Sequence, residues 1–411
     1  MVQTAWLADG ESCIVRIKNV KETKPMKEEY GLTQDQIDIQ MMTRDFIRKE
    51  LPWERIKECD EKSETPMDVV KKAAEMGLTS ITLPESIGGA GMGEVTNSLV
   101  LEELAYQDVG FATVIGACGL AYMPIKIVGT EAQKEYYGKF IVDGSLAAFA
   151  LTEADAGSDV SAGRTTAVLD GDEWVINGTK AFITNGGLAD IYTVFAVTDP
   201  GNGTHSMSCF YVERSCPGIS IGSHENKLGI RLSNTTEVIF ENVRVPKDHM
   251  VGKQGDGFKI AMMTFDRTRP AGVGAACCGA MRSCIDKCIE YSSQRITFGQ
   301  PILQNQAIQF KIADMEIKYE AARALTYKVA GMIDDGVIDS ALASAAKAFS
   351  SEAALEVVNE AVQIHGGYGY SKEYPVEIIM RNTKIGTLFE GTNEVQRMVI
   401  TKNLLKASGI I

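Results

Sequence analysis

Histidine is scarce in this chain, with four in 411 residues. His205, His224, His249 and His365 fall in different regions, so a histidine-built metal centre has little support. Basic residues are outnumbered, 41 Lys+Arg against 54 Asp+Glu, for a formal charge of −13. That balance excludes the clustered cationic footprint that nucleic-acid phosphates demand. No run of about 18 apolar residues stands out, so no membrane span is expected. The P-loop, HExxH and GxSxG patterns are all missing, which removes the chemistries they carry. The first twenty residues lack an apolar stretch and include Asp9 and Glu11, so neither a secretory signal nor an acid-poor transit peptide is expected. Nine cysteines, an odd number without framework spacing, fit a reducing cytoplasm.

What is present is ordinary globular composition, 45% hydrophobic and 23% charged, in a chain long enough for a sizeable core. Three textures follow one another. Residues 32–145 read as helical. Thr33 is a plausible N-cap, and Ile37, Met41, Met42, Phe46 and Ile47 form a helical apolar face. Gly88, Gly89, Gly91 and Gly93 mark a loop without dinucleotide-fingerprint spacing. Residues 146–255 read as strands. Val168-Leu169 and Trp174-Val175-Ile176 flank a hairpin turn at Asp170-Gly171-Asp172, and Asn177-Gly178 predicts a second turn. Val238-Ile239-Phe240 and Val243-Arg244-Val245 predict two strands split by Glu241-Asn242. Residues 256–411 return to helical texture, with long periodic stretches over 258–293, 305–333, 340–365 and 391–407 that suggest an antiparallel bundle. Residues 1–31 stand apart as an N-terminal extension expected to pack on the surface. The fold class is therefore α+β, with helices, strands and helices in order.

Several short segments have two readings. Cys277, Met281, Cys284 and Cys288 make a helical stripe: a soft-metal site, or a packed face of small apolar groups, which is favoured because no metal spacing matches. The segment from Gln363 through His365, Gly366 and Gly367 to Tyr370 is either a backbone cradle for a ligand or a helix C-cap. The hydroxyls of the segment from Leu151 to Asp159 suit a polar ligand or a capped turn. Phe389-Glu390-Gly391-Thr392-Asn393-Glu394 offers a desolvated base or acidity that complements a helix dipole.

Taken together, these segments resemble the acyl-CoA dehydrogenase family over residues 32–408. Blocks fall in the family's order at Leu151–Val160, Gly178–Asp190, Lys227–Pro246, Phe265–Pro270, Phe298–Ile302 with Gln306 and Ala313–Met315, and Gln363–Arg397. The resemblance implies a helical domain, a central β-domain and a C-terminal four-helix bundle. It also implies FAD as cofactor, a homotetramer, and electron-transfer flavoprotein as acceptor. The implied reaction is α,β-dehydrogenation of an acyl-CoA thioester to the 2-enoyl-CoA: a Glu removes the α-proton while hydride leaves the β-carbon for flavin N5. The FAD ribityl 2′-hydroxyl and the backbone N–H of the Glu would polarise the thioester oxygen.

By matched position the base is Glu390. A minority branch places its base where this chain has Thr268, which cannot serve. Thr152, Ser158, Phe182 and Thr184 match flavin-contacting positions, with Phe182 standing where Trp is common. Ser158 also matches a position near the CoA arm. Arg295, Thr297, Phe298, Gln306, Gln363, Gly366 and Gly367 match positions that reach a neighbour's FAD, and Thr392 and Glu394 match FAD-facing positions after the base. Asp266, Arg269, Phe389 and Gly391 match the substrate side. Ala154-Asp155, Leu232 and Asn382-Thr383 depart from the commonest family pattern.

The segment from Asp108 to Leu120, matching the acyl pocket wall, holds no Arg or Lys, which disfavours a dicarboxylyl substrate. Its small residues Gly116, Ala117 and Gly119 leave room for a bulky, branched, alicyclic or aromatic acyl group. The rival readings are an oxidase or enoyl-CoA reductase on the same scaffold, and a non-catalytic acyl-CoA-binding paralogue.

Overall fold

The computed structural model describes residues 31–410, and the expectation for the first thirty lies outside them. Thr33 starts α1 (Gln34–Glu50): its hydroxyl accepts the Gln36 N–H, and the Gln36 side chain answers from the Thr33 N–H, a complete capping box. Ile37, Phe46 and Ile47 face inward, but Met41 and Met42 are 54% and 39% exposed. At 100° per residue both methionines fall outside the buried arc, which Gln40 and Thr43 complete instead. Helices α2 (Trp53–Lys62), α3 (Met67–Glu75), α4 (Glu94–Gln107), α5 (Val109–Val128) and α6 (Glu131–Val142) finish the first layer.

Helix α5 corrects the expectation about apolar runs. Its 20 residues carry one charge, Lys126, and suffice by length and composition to cross a bilayer. Its Gly, Ala, Thr and Tyr residues diluted the signal in the sequence. Most of the helix is buried against protein, where it serves as a core helix.

The middle layer is a mostly antiparallel sheet of β1 (Ala147–Ala150), β2 (Thr166–Asp170), β3 (Glu173–Thr184), β4 (Ile191–Val197), β5 (Met207–Glu213), β6 (Ile219–His224), β7 (Thr235–Pro246) and β8 (Met250–Val251). Its order is β6-β7-β3-β2-β4-β5-β8, with β1 parallel to β4. The β2–β3 hairpin stands as the turn residues indicate.

Two other turn expectations fail together. Asn177-Gly178 lies inside β3, and Glu241-Asn242 lies inside a continuous β7. Ile176 pairs Val243 and Gly178 pairs Phe240, so Asn177 opposes two residues across a bulge. The Asn177 side-chain oxygen accepts the Asn242 N–H at 2.7 Å. Asn242 takes a φ of 52°, which its short polar side chain tolerates.

The last layer begins with α7 (Gly257–Arg269), a π-helical segment (Pro270–Ala275) and α8 (Ala276–Gln294), where the sequence suggested one unbroken helix. Pro270 has no N–H to donate, and the wider turn absorbs that break. A short hairpin of β9 (Ile296–Thr297) and β10 (Gln300–Pro301) leads to α9 (Gln306–Asp334), α10 (Ser340–His365), α11 (Val376–Thr383) and α12 (Asn393–Ala407). Helix α10 packs against α8, α9 and α12 to make the bundle.

One hydrophobic core joins all three layers: Phe46, Val114, Phe195, Met281 and Val358 belong to it. A second core fills the other side of the sheet around Trp174, Phe210 and Phe240. Cys277, Cys278, Cys284 and Cys288 are buried in the shared core, and burial pushes the Cys277 and Cys284 thiols up to about 12. Among the described residues no group of His, Cys, Asp and Glu could hold a metal ion.

Candidate active site

Where the three layers meet there is a cleft enclosing about 1040 Å³, including its open mouth. One wall comes from the sheet: Phe149, Leu151, Thr152, Phe182 and Thr184. A second comes from the last layer: Phe265, Thr268, Gly272, Ala276, Phe389 and Glu390. The third is built by Thr82, by Glu94, Asn97 and Leu101 of α4, and by α5 from Ala112 to Met123.

The sheet wall is fixed by a buried ion pair that the sequence reading missed. Lys180, fully buried, donates to Glu153 Oε1 at 2.7 Å and to the Leu151 carbonyl at 3.0 Å. Glu153 in turn accepts the backbone N–H groups of Arg164 and Thr165. The Ala181 N–H donates to the Thr152 carbonyl at 2.9 Å. Thr152 is thereby held beside Phe182 and Thr184. A register shift between Lys180 and Ile183, with a φ of 57° at Phe182, turns that ring out of the sheet, where it is 59% exposed. The signal was readable as an acid after Thr152 and a lysine among the β-residues, but only the fold shows that they meet.

Glu390 sits in the loop before α12 with a φ of 52°. Several groups hold it there. The Thr268 hydroxyl donates to its Oε2 at 3.2 Å. Arg269 Nε and Gln396 Nε2 each donate to its main-chain carbonyl at 3.2 Å. Lys347, fully buried on α10, donates to the Gly391 carbonyl at 2.9 Å and to Asn393 Oδ1 at 2.8 Å. Burial is the largest influence on the Glu390 carboxyl and pushes it above the ordinary range, against the Arg269 charge, the Thr268 hydrogen bond and the Lys347 charge. Lys347 is pushed down to about 8 by its own burial. Glycine suits the π-helical segment at this point, since a Cβ on Gly272 would stand 2.8 Å from Glu390 Oε1.

Arg269 is buried and also paired with Asp266 at 3.2 Å, while Asp266 accepts from Ser340. Its guanidinium lies 5.4 Å from the Phe265 ring centre. Both partners are thus engaged within the protein. Gly391 takes a φ of 87° and adjoins the cleft.

Other expected residues lie elsewhere. Ser158 is exposed on the loop before β2 and does not line the cleft. Thr392 caps α12 through the Val395 N–H, and Glu394 is exposed on its first turn. Arg295, Thr297, Phe298, Gln306, Gln363, Gly366 and Gly367 gather at the far end of α8 and α10. There Arg295 lies over the Tyr368 ring at 5.5 Å, and Phe298, with a φ of 51°, is fully exposed. Ala276 touches the cleft, and the 19 residues of α8 carry Arg295 about 28 Å from it.

Comparisons with known proteins agree with this architecture. Three family models match in order: the acyl-CoA dehydrogenase N-terminal domain over 33–145, its middle domain over 148–243 and its C-terminal domain over 255–405. The chain belongs to the acyl-CoA dehydrogenase family. An acyl-CoA dehydrogenase of Bacillus subtilis is 43% identical over 377 residues, covering 91% of this chain and 99% of that one. The solved butyryl-CoA dehydrogenase of Megasphaera elsdenii superposes with a TM-score of 0.89 at 43% identity, covering 91% of this chain and 99% of that one. A chain solved under the description "Electron transferring flavoprotein of Acidaminococcus fermentans" matches with the same TM-score, identity and coverage. The protein is an oxidoreductase acting on CH–CH donors, and its cofactor is FAD. The cleft fits that group: a projecting aromatic ring and two threonines line an apolar slot that also holds a desolvated carboxyl.

Proposed function

We propose that Glu390 is the base that removes the α-proton of an acyl-CoA thioester. The observation that carries this reading is a carboxyl desolvated in the shared cleft, buttressed by Thr268 and anchored through its carbonyl by Arg269. A raised carboxyl is a stronger base once ionised, and a dry cleft strengthens every charge interaction in the transition state. Bound FAD supplies the hydride acceptor. Thr152, Phe182 and Thr184 would hold its ring, and the backbone N–H of Glu390 would polarise the thioester oxygen. Phe389 and Gly391 shape the passage beside the base, while Asp266 and Arg269 fix its loop.

The acyl group lies along α5. Among the described residues no lysine or arginine lines the cleft, and Gly116 and Gly119 keep the helix surface low, so a branched or cyclic monocarboxylic acyl group fits better than a dicarboxylyl one. The enzyme passes its electrons to electron-transfer flavoprotein. A second copy of the chain completes the FAD site with Arg295, Thr297, Phe298, Gln306, Gln363, Gly366 and Gly367, because the length of α8 keeps them from their own cleft. Ser158, Thr392 and Glu394 contact the cofactor's outer parts, Ser158 also reaching the CoA arm. The tetrameric assembly expected of such chains provides that neighbour.

Glu390→Gln tests the base. The variant should purify yellow and folded yet lose about 10²–10⁴-fold in turnover. Flavin bleaching by acyl-CoA at the wild-type rate would overturn the assignment.

A further inference from the structure

The third wall of the cleft carries a second acid. Glu94 opens α4, is 3% exposed and lines the cavity that holds Glu390. Its backbone is fully engaged: its N–H donates to Asp334 Oδ1 at 2.6 Å, and its carbonyl accepts from Ser98 Oγ at 2.7 Å. Its carboxyl is engaged on one side only. Oε2 accepts from Asn97 Nδ2 at 3.0 Å, while Oε1 is buried without a partner among the described residues. Lys126, the nearby cation, instead donates to the Thr82 carbonyl at 3.2 Å. Buried polar atoms are almost always paired, and a carboxyl oxygen left open in an apolar cleft is costly. The cleft therefore holds one polar recognition point away from the reacting wall.

We propose that Glu94 Oε1, with Asn97 beside it, recognises a hydroxyl group carried by the acyl moiety of the substrate, remote from the Cα–Cβ bond that is oxidised. A hydroxyl suits either state of the acid: it donates to a carboxylate and accepts from a protonated carboxyl. Burial pushes the Glu94 carboxyl up, so the neutral form is accessible and a substrate cation is not required. A distal carboxylate is a poor fit, because two carboxyls meeting here would have to share one proton, and no lysine or arginine lines the cleft among the described residues to offset the charge. The inference rests on reading this cleft as the acyl site, and it adds the class of acyl group.

Matched pairs of acyl-CoA thioesters test it, each a hydroxylated chain or ring and its deoxy parent, followed by anaerobic flavin bleaching and steady-state kcat/KM. The wild-type enzyme should favour the hydroxylated member by about tenfold or more. Glu94→Leu should collapse that ratio, chiefly through KM, and Glu94→Gln, which keeps a donor and an acceptor, should retain most of it. A wild-type preference for the parent, or an unchanged ratio in Glu94→Leu, overturns the inference. The wild-type ratio and the Glu94→Gln variant decide the matter even where the leucine variant does not fold. Bleaching by the parent thioester alone leaves the Glu390 reading standing while removing this one. No bleaching by either member removes both.

Discussion

Glu390 shows how much of one residue's chemistry depends on distant chain. The Phe-Glu-Gly-Thr run was legible as a base or as helix-end acidity; its residues alone did not choose between them, and the family resemblance chose the base. The physical support for that proposal is burial, which arrives from α7, the π-helical segment and α10, all remote in sequence. Thr268 illustrates the same limit. Its side chain excludes it as a base, yet it donates to the Oε2 of Glu390, the acid proposed for that role. Such a bond favours the ionised carboxyl. Thr268→Val should therefore raise the Glu390 pKa and move the acid limb of the kcat profile to higher pH. The profile, measured from pH 5 to 9, checks the direction; an acid limb that stays or falls contradicts it. Glu94 was invisible for a related reason, since one acid after a glycine has the appearance of ordinary helix-start chemistry.

Helical elements were legible because their apolar periods are long, as in α9 and α10. Strand boundaries were less so. Asn177-Gly178 has the composition of a turn, but β7 continues past it and turns the same flexibility into a bulge. Gly178 is needed there by space as well as by its φ of 149°, because a Cβ would stand 2.6 Å from the Thr165 Cα. Gly178→Ala should cost about 1–3 kcal/mol, read as a lower Tm. Because Thr165 donates its N–H to Glu153, the same variant should also loosen the wall that carries Thr152. Weakened FAD retention, followed by flavin release on dilution, reports that second effect.

The three layers behave as one body because single side chains span them. Asn382 on α11 accepts the Ile230 N–H at 2.6 Å and donates to Asp108 Oδ2 at 2.8 Å, joining the last layer to the strand region and to the start of α5. Burial pushes the Asp108 carboxyl up to about 7. Asn382→Asp replaces that donor with a second acid. Near pH 6 the two carboxyls share a proton and hold; above the raised pKa both ionise and repel. The variant's Tm should fall further below wild type at pH 8.5 than at pH 6, and thermal scans at the two values check the sign. A substitution that departs from the common family pattern, and that removes no required chemical group, is in this way a structural partner to Asp108.

The length of α8 has a genetic consequence. With Glu390 as the base and Arg295 completing a neighbour's FAD site, as proposed above, a chain bearing Glu390→Gln damages the cleft it encloses, whereas a chain bearing Arg295→Ala damages a cleft enclosed by its neighbour. Pairing the two kinds concentrates both lesions in one site and leaves the other intact. Two inactive alleles expressed together should then complement each other, giving more activity than either alone, while two lesions within one cleft, Glu390→Gln and Thr152→Ala, should not.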